Sequence, residues 1–175
     1  MKHIVLRGAR GVGKSSLLRR MISETGLLPG GFLTEKAPPD ADGVSHTYIY
    51  PADRAERQPS EENCVGACRD GRLLFRRSAV FDTLGTRYLH GSDGKNVVLM
   101  DELGFLETDA PDFQRAVLQA LDGDLPVLAA VKDKDIPFLE KVCNHPKVCV
   151  YRITEENRER LFWELLPILA EMTEE

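Results

Sequence analysis

Near its start the chain reads Gly8-Ala9-Arg10-Gly11-Val12-Gly13-Lys14-Ser15, which fits G-x-x-x-x-G-K-[ST]. Each residue type in that spacing has a physical job. The glycines let successive backbone N–H groups converge on phosphate oxygens without side-chain obstruction, and a following helix N-terminus adds positive dipole. A lysine placed as Lys14 is reaches the terminal phosphates, and the Ser15 hydroxyl is a ligand for Mg²⁺. Gly8 to Ser15, with Ser16 behind them, are therefore the candidate nucleotide-binding residues.

A second cluster stands at Val97-Val98-Leu99-Met100-Asp101-Glu102, an apolar run ending in two carboxylates. Open α/β sheets hold ligands at the C-terminal ends of their strands, so both carboxylates are expected there, in a Walker B arrangement. Asp101 is the candidate metal residue, holding Mg²⁺ through its water shell. Glu102, on the other side of the backbone, could orient and deprotonate an attacking water. Taken alone, a strand ending in Asp-Glu often does no more than solubilise a loop. Beside the glycine loop it supplies the other half of one Mg–triphosphate site, with Glu102 and Lys14 as catalytic candidates.

The elements that must position these residues follow from periodicity. His3–Arg7 reads as a strand ending at Gly8. Lys14–Thr25 sets Leu17, Leu18, Met21 and Ile22 on one helical face before Gly26 stops it. Gly31–Thr34 is a weak second strand. Residues 35–95 lack a strong helical period and carry turn signals, Pro38-Pro39-Asp40, Ala41-Asp42-Gly43 and Asp70-Gly71. They read as a β-meander insertion with a hairpin of Val65–Arg69 and Arg72–Arg76. From Asn96 the pattern alternates: strand Val97–Met100, helix Asp109–Asp122 with Asp109 as N-cap, strand Val127–Val131, helix around Ile136–Val142, strand Val148–Ile153 and helix Thr154–Leu169. Alternation of this kind predicts an α/β fold with a mainly parallel central sheet covered on both faces.

Composition narrows the class. The 175 residues are 42% hydrophobic and 29% charged, as in an ordinary globular protein of one domain. No apolar run approaches the roughly 20 residues of a membrane span, and the N-terminus lacks a signal peptide's apolar region. A soluble, cytoplasmic protein with no membrane partner is expected, and free thiols are the default for its four cysteines. A net charge of −5 argues against nucleic acid as a partner. The charge is uneven, +5 over residues 1–36, −1 over 37–100 and −9 over 101–175. The basic segment is thus the one that carries the glycine loop.

Four segments, Gly8–Ser15, Gly31-Phe32-Leu33-Thr34-Glu35, Asp101-Glu102-Leu103-Gly104-Phe105-Leu106-Glu107 and Thr154-Glu155-Glu156-Asn157-Arg158, together resemble the small P-loop nucleoside triphosphatases related to nucleotide kinases. The resemblance covers residues 3–36 and 96–169, and D-E-[IL]-G-x-[ML]-E is its most specific element. It implies a three-layer P-loop fold and Mg²⁺-dependent hydrolysis of ATP, GTP and other nucleoside triphosphates with broad base tolerance. By analogy with the related kinases, Asn157 and Arg158 would contact the base. Capping of the last helix by Thr154 and its neighbours is the simpler role for that stretch. The sequence departs from the family at residues 36–80, where an Arg- and Gly-rich strand pair is usual. Arg69, Arg72, Arg76 and Arg77 could compensate by stabilising transferred charge, or could be four solvated arginines. Two other functions fit the same motifs: an ATP-dependent kinase for a nucleoside, nucleotide or small metabolite, and a nucleotide-operated switch or assembly factor with a protein partner.

Other signals are weaker. Cys64-x₃-Cys68 and Cys143-x₅-Cys149, with His145, lack the C-x₂-C spacing of zinc sites. His3, His46 and His90 have no partner motif, and Trp163, Phe162, Leu165, Leu166 and Leu169 have the spacing of a core face. Val131-Lys132-Asp133-Lys134-Asp135 departs from [NT]-K-x-D, so guanine selectivity is not expected. Lys132 directly follows a parallel strand, either as an exposed lysine or near the γ-phosphate.

Overall fold

The computed structural model describes residues 3–173. Its strands are β1 (His3–Gly8), β2 (Pro29–Lys36), β3 (Val44–Pro51), β4 (Cys64–Arg69), β5 (Arg72–Arg76), β6 (Val97–Leu103), β7 (Val127–Lys132) and β8 (Val148–Arg152). All eight form a single sheet in the order β5-β4-β3-β2-β6-β7-β1-β8. β2, β6, β7, β1 and β8 run parallel. β3, β4 and β5 continue antiparallel from the outer edge of β2. The helices are α1 (Lys14–Thr25), α2 (Ser78–Val80), α3 (Thr86–His90), α4 (Pro111–Asp122), α5 (Pro137–Cys143) and α6 (Arg158–Thr173). No helix among the described residues is long and apolar enough to cross a membrane.

The parallel strands are apolar on both faces because both faces are covered. Ile4, Leu6, Leu99 and Leu128 point toward α1 and α6, meeting Leu18, Met21, Phe162 and Leu165. Val5, Met100 and Ala129 point the other way, toward Phe113, Val117 and Leu121 of α4 and Phe138 of α5. Alternation along each strand thus divides the core in two. On the α4 side, Phe113 is the hub, its ring 5.3 Å from that of Phe32 and 5.0 Å from that of Phe81.

Three expectations need correction. The β-rich insertion expected over about 35–95 is strand as far as Arg76, where β3 to β5 form an antiparallel meander that joins the main sheet through β2. The stretch after them is helical: α2, a π-helical turn over Phe81–Gly85, and α3. The wider π turn changes the angular step between side chains, so Phe81 and Leu89 reach the core without a 3.6-residue repeat in the sequence. Asp109 does not cap α4, which starts at Pro111 after Ala110. The Asp109 carboxylate pairs with Arg76 instead. The N–H of Phe113, in the first turn of α4, donates to Asp82 Oδ1 at 3.0 Å, so the cap comes from the π turn and not from the preceding residue. The last helix starts at Arg158, after a turn at Thr154–Asn157, and runs past Leu169.

Deep in β1, the His3 imidazole accepts the Val127 N–H at Nδ1 (3.1 Å) and donates from Nε2 to Leu121 O (2.7 Å). Burial holds its pKa below the usual histidine value, and the Lys147 charge acts the same way. The unfolded chain therefore binds more protons than the folded one just below about pH 6.5, so this contribution is complete above that pH and is lost as pH falls. His3→Gln is expected to flatten the fall in unfolding free energy between pH 7.5 and 5, as measured by urea titration; parallel profiles would exclude the imidazole as the source. Phe113→Ala, which empties the aromatic hub, is expected to cost about 3–5 kcal/mol in the same assay at constant m-value.

Candidate active site

Strand pairing brings the site together. In register, Gly8 at the end of β1 lies opposite Lys132 at the end of β7. On β6, Asp101 lies opposite Ala130 of β7 on one side and Leu33 of β2 on the other. The glycine loop, Asp101 and Lys132 therefore emerge at one edge of the sheet, where α1 begins. Asp101 pairs with Ala130, but the next paired residue is Leu103, with Val131. Glu102 is the extra residue of an irregularity that leaves it outside the ladder between two buried neighbours, a usual way to re-aim a side chain beside a site.

Within the loop, the buried Lys14 ammonium donates to Gly8 O at 2.7 Å and to Ala9 O at 2.9 Å. It also lies 3.6 Å from Glu102 Oε2. Gly13 has φ +101°, and a Cβ there would lie 3.4 Å from both Cδ and Nη1 of Arg158. Glycine thus serves both the left-handed turn and the approach of Arg158. Ser15 Oγ donates to Asp101 Oδ1 at 2.6 Å. Asp101 is buried, and burial raises its pKa against the opposing effects of Ser15 and Arg19. Its Oδ2 has no hydrogen-bond partner, the Arg19 guanidinium standing 3.6 Å away. A serine hydroxyl beside a buried carboxylate with an unused oxygen is a hard-oxygen set that suits Mg²⁺.

The residues selected from sequence are gathered with one distinction. Gly8 to Ser15, Asp101 and Glu102 share the edge, and Arg158 closes on Gly13 from the start of α6. Ser16 and Arg158 line a cleft of about 170 Å³ with Gly13, Leu17, Arg20 and Phe162. The Asn157 amide is occupied: Oδ1 accepts the Thr154 N–H at 2.7 Å and Nδ2 donates to Arg152 O at 2.9 Å. It shapes the turn that presents Arg158. Arg76 pairs with Asp109, and Arg77 donates to Glu61 O at 3.0 Å. Arg69 and Arg72 are exposed on the β4–β5 hairpin.

Three residues at the site carried no assigned role in the sequence reading. Arg19 follows Ser15 by four positions on α1, so helical spacing alone could have placed it on the same face. The Thr34 hydroxyl straddles the link between the two carboxylate residues, accepting the Glu102 N–H and donating to Asp101 O, each at 3.3 Å. Only the adjacency of β2 and β6 reveals it. Glu107 is buried and accepts the Gly104 N–H. Burial pushes its carboxyl up to about 7, with the nearby Glu102 charge adding to the rise.

The chain is similar to known proteins over nearly its whole length. The nucleoside-triphosphatase THEP1 of Thermotoga maritima is 27% identical over 167 residues, spanning 95% of this chain and 94% of its own. The human cancer-related nucleoside-triphosphatase is 26% identical over 181 residues, spanning 91% of this chain and 92% of its own. In fold, the chain is similar to the crystal structure of THEP1 from the hyperthermophile Aquifex aeolicus, with a TM-score of 0.72 at 22% identity over 97% of this chain and 99% of that one. The NTPase family model matches residues 3–166, from the first strand to the last helix, and the chain belongs to that family of nucleoside-triphosphate-hydrolysing enzymes.

Proposed function

We propose that this chain hydrolyses ATP, GTP and other nucleoside triphosphates to diphosphate and phosphate, with Mg²⁺ and with little discrimination among bases. The observation that carries the reading is the placement of Glu102. Its carboxylate stands outside the strand ladder, a quarter exposed, 3.6 Å from Lys14 Nζ and next to the Ser15–Asp101 pair. A carboxylate there meets a water approaching the terminal phosphoryl group, orients it and takes its proton. Lys14 exchanges its loop carbonyls for phosphate oxygens and neutralises them in ground and transition states. Ser15 and Asp101 are the residues that would hold Mg²⁺, which supplies charge neutralisation on the phosphate oxygens when bound. The substrates on this reading are dissolved nucleotides of the cytoplasm.

Broad base tolerance is supported by what surrounds the nucleoside end. Lys134 stands where [NT]-K-x-D would place its guanine-reading carboxylate, and the neighbouring Asp133 is held by Arg7 Nε and Arg152 Nη1 at 3.1 Å each. Asn157 is committed to its own turn. Turnover of ATP, GTP, CTP and UTP is expected to fall within about tenfold, under ~1.4 kcal/mol of discrimination. A phosphate-release assay with the four nucleotides checks this. Including a panel of nucleosides, nucleotides and metabolites tests phosphoryl transfer, which would have to outrun phosphate release to displace hydrolysis.

Binding and chemistry separate at the two carboxylates. Glu102→Gln keeps the shape and removes the proton acceptor, so triphosphate affinity is expected to persist while single-turnover hydrolysis falls by about 10²–10⁴. Asp101→Asn is expected to weaken metal-dependent nucleotide binding and hydrolysis together, and Lys14→Ala to damage both as well. Near wild-type turnover in Glu102→Gln would remove the base from the mechanism.

A further inference from the structure

Glu102 faces two cations. Lys14 lies 3.6 Å from Oε2, and the Lys132 ammonium lies 3.6 Å from Oε1. Lys14 has a place in any glycine-loop site. Lys132 does not, and nothing in that loop accounts for its position. It is set by topology: β7 lies between β1 and β6, so the residue at its C-terminal end emerges between the glycine loop and Glu102.

We propose that Lys132 is a catalytic residue that contacts the γ-phosphoryl group and neutralises charge on it as water attacks, a proposal that rests on the hydrolase reading above. In the reaction, the water oxygen forms a bond to the γ-phosphorus while the bond to the β–γ bridging oxygen breaks. Its electron pair leaves with the nucleoside diphosphate, and the water proton passes to the Glu102 carboxylate and then to solvent. Charge shifts toward the phosphoryl oxygens and the leaving oxygen during this step, and a fixed cation beside them lowers the barrier. Lys14 serves the leaving side from within the loop. Lys132, across the Glu102 carboxylate, serves the attacked side.

The lysine's stem is steered as well as its head. Lys132 Cδ lies 2.8 Å and Cε 3.2 Å from the place a Cβ on Gly104 would occupy. The Gly104 N–H is in turn held by the buried Glu107 carboxylate. The loop after Glu102 thus provides a groove for the aliphatic stem, floored by a residue without a side chain. In the nucleotide-free protein one carboxylate is shared by two ammonium groups. An arriving triphosphate draws Lys14 toward itself and leaves Lys132 beside both Glu102 and the terminal phosphoryl group. Of the arginines at 69–77, Arg76 is paired with Asp109 and Arg77 with a backbone carbonyl, while Arg69 and Arg72 are exposed on the β4–β5 hairpin.

The experiment compares full-length wild type, Lys132→Gln, Lys132→Arg, Gly104→Ala and Glu102→Gln. Each is checked for folding by circular dichroism and thermal unfolding. Single-turnover ATP hydrolysis with Mg²⁺ is measured beside affinity for ADP and for ADP with aluminium fluoride, a mimic of the planar phosphoryl group. Lys132→Gln is expected to lose about 10²–10³-fold in turnover. It should keep its ADP affinity and lose the extra affinity conferred by aluminium fluoride, and added methylammonium should restore part of the rate. Gly104→Ala leaves every charge in place and displaces the stem, so it should show the same pattern in weaker form, and Lys132→Arg should keep part of the activity. Turnover of Lys132→Gln within about threefold of wild type, with Glu102→Gln impaired, overturns the role of Lys132 and leaves the hydrolase reading intact. A loss of ADP affinity equal to the loss of rate also overturns it, as that marks ground-state binding. Normal turnover in Glu102→Gln instead refutes the reading on which the proposal stands. Should Lys132→Gln fail to fold, Lys132→Arg and Gly104→Ala decide the matter by the same readouts.

Discussion

The pairing of β7 between β1 and β6 is the constraint on which the site depends. It fixes which strand ends are neighbours, and so which loops share the sheet edge where α1 begins. Gly8 opposite Lys132, and Asp101 opposite Ala130, are consequences of that register and of nothing local. A shift of one residue would turn every side chain of a strand to the other face, driving Ile4 and Leu6 into the layer packed by α4 and α5, or Val98 and Met100 into the layer packed by α1 and α6. The apolar burial that holds the register therefore also holds the carboxylates and ammonium groups in place. Stability and chemistry share one cause.

At that edge the charges are arranged as a chain. Arg19 stands beside Asp101, Asp101 accepts from Ser15, Lys14 lies against Glu102, and Glu102 lies against Lys132. Alternation of sign keeps a dense set of ionisable groups tolerable in the absence of phosphate, since each carboxylate has a cation at hand. It also leaves the cations poised for an anionic substrate, which replaces protein carbonyls and carboxylates as their partner. Thr34, bonded to the backbone on both sides of the Asp101–Glu102 link, ties this chain to β2.

The antiparallel strands β3 to β5 sit far from this edge in strand order, beyond β2. What they contribute lies in the path of the chain after them. Arg76 holds Asp109, and the π turn that follows supplies Asp82 to the first turn of α4. α4 then covers β6 and its neighbours through Phe113, Val117 and Leu121. The extended part of the sheet thus supports the loop and helix that follow Glu102.

The glycine loop, the strand before it and the helix after it were legible in the sequence because all three are local: a glycine spacing, an apolar run and a 3.6-residue repeat. The same holds for Asp101 and Glu102 at the end of β6, and for the β4–β5 hairpin around Asp70-Gly71. The helical stretch 78–90 was not legible, because its π turn breaks the repeat and its burial depends on Phe113 from another element. Asp109 misled for a related reason. It is a good capping residue by type, but Arg76 took its carboxylate and Asp82 took the capping role, both from distant parts of the chain. Motif and periodicity determined which residues could bind phosphate and which could act as a base. The order of strands decided that Lys132 and Thr34 stand beside them, because side chains on strands far apart in sequence meet only when parallel strands pack in register and end at the same edge.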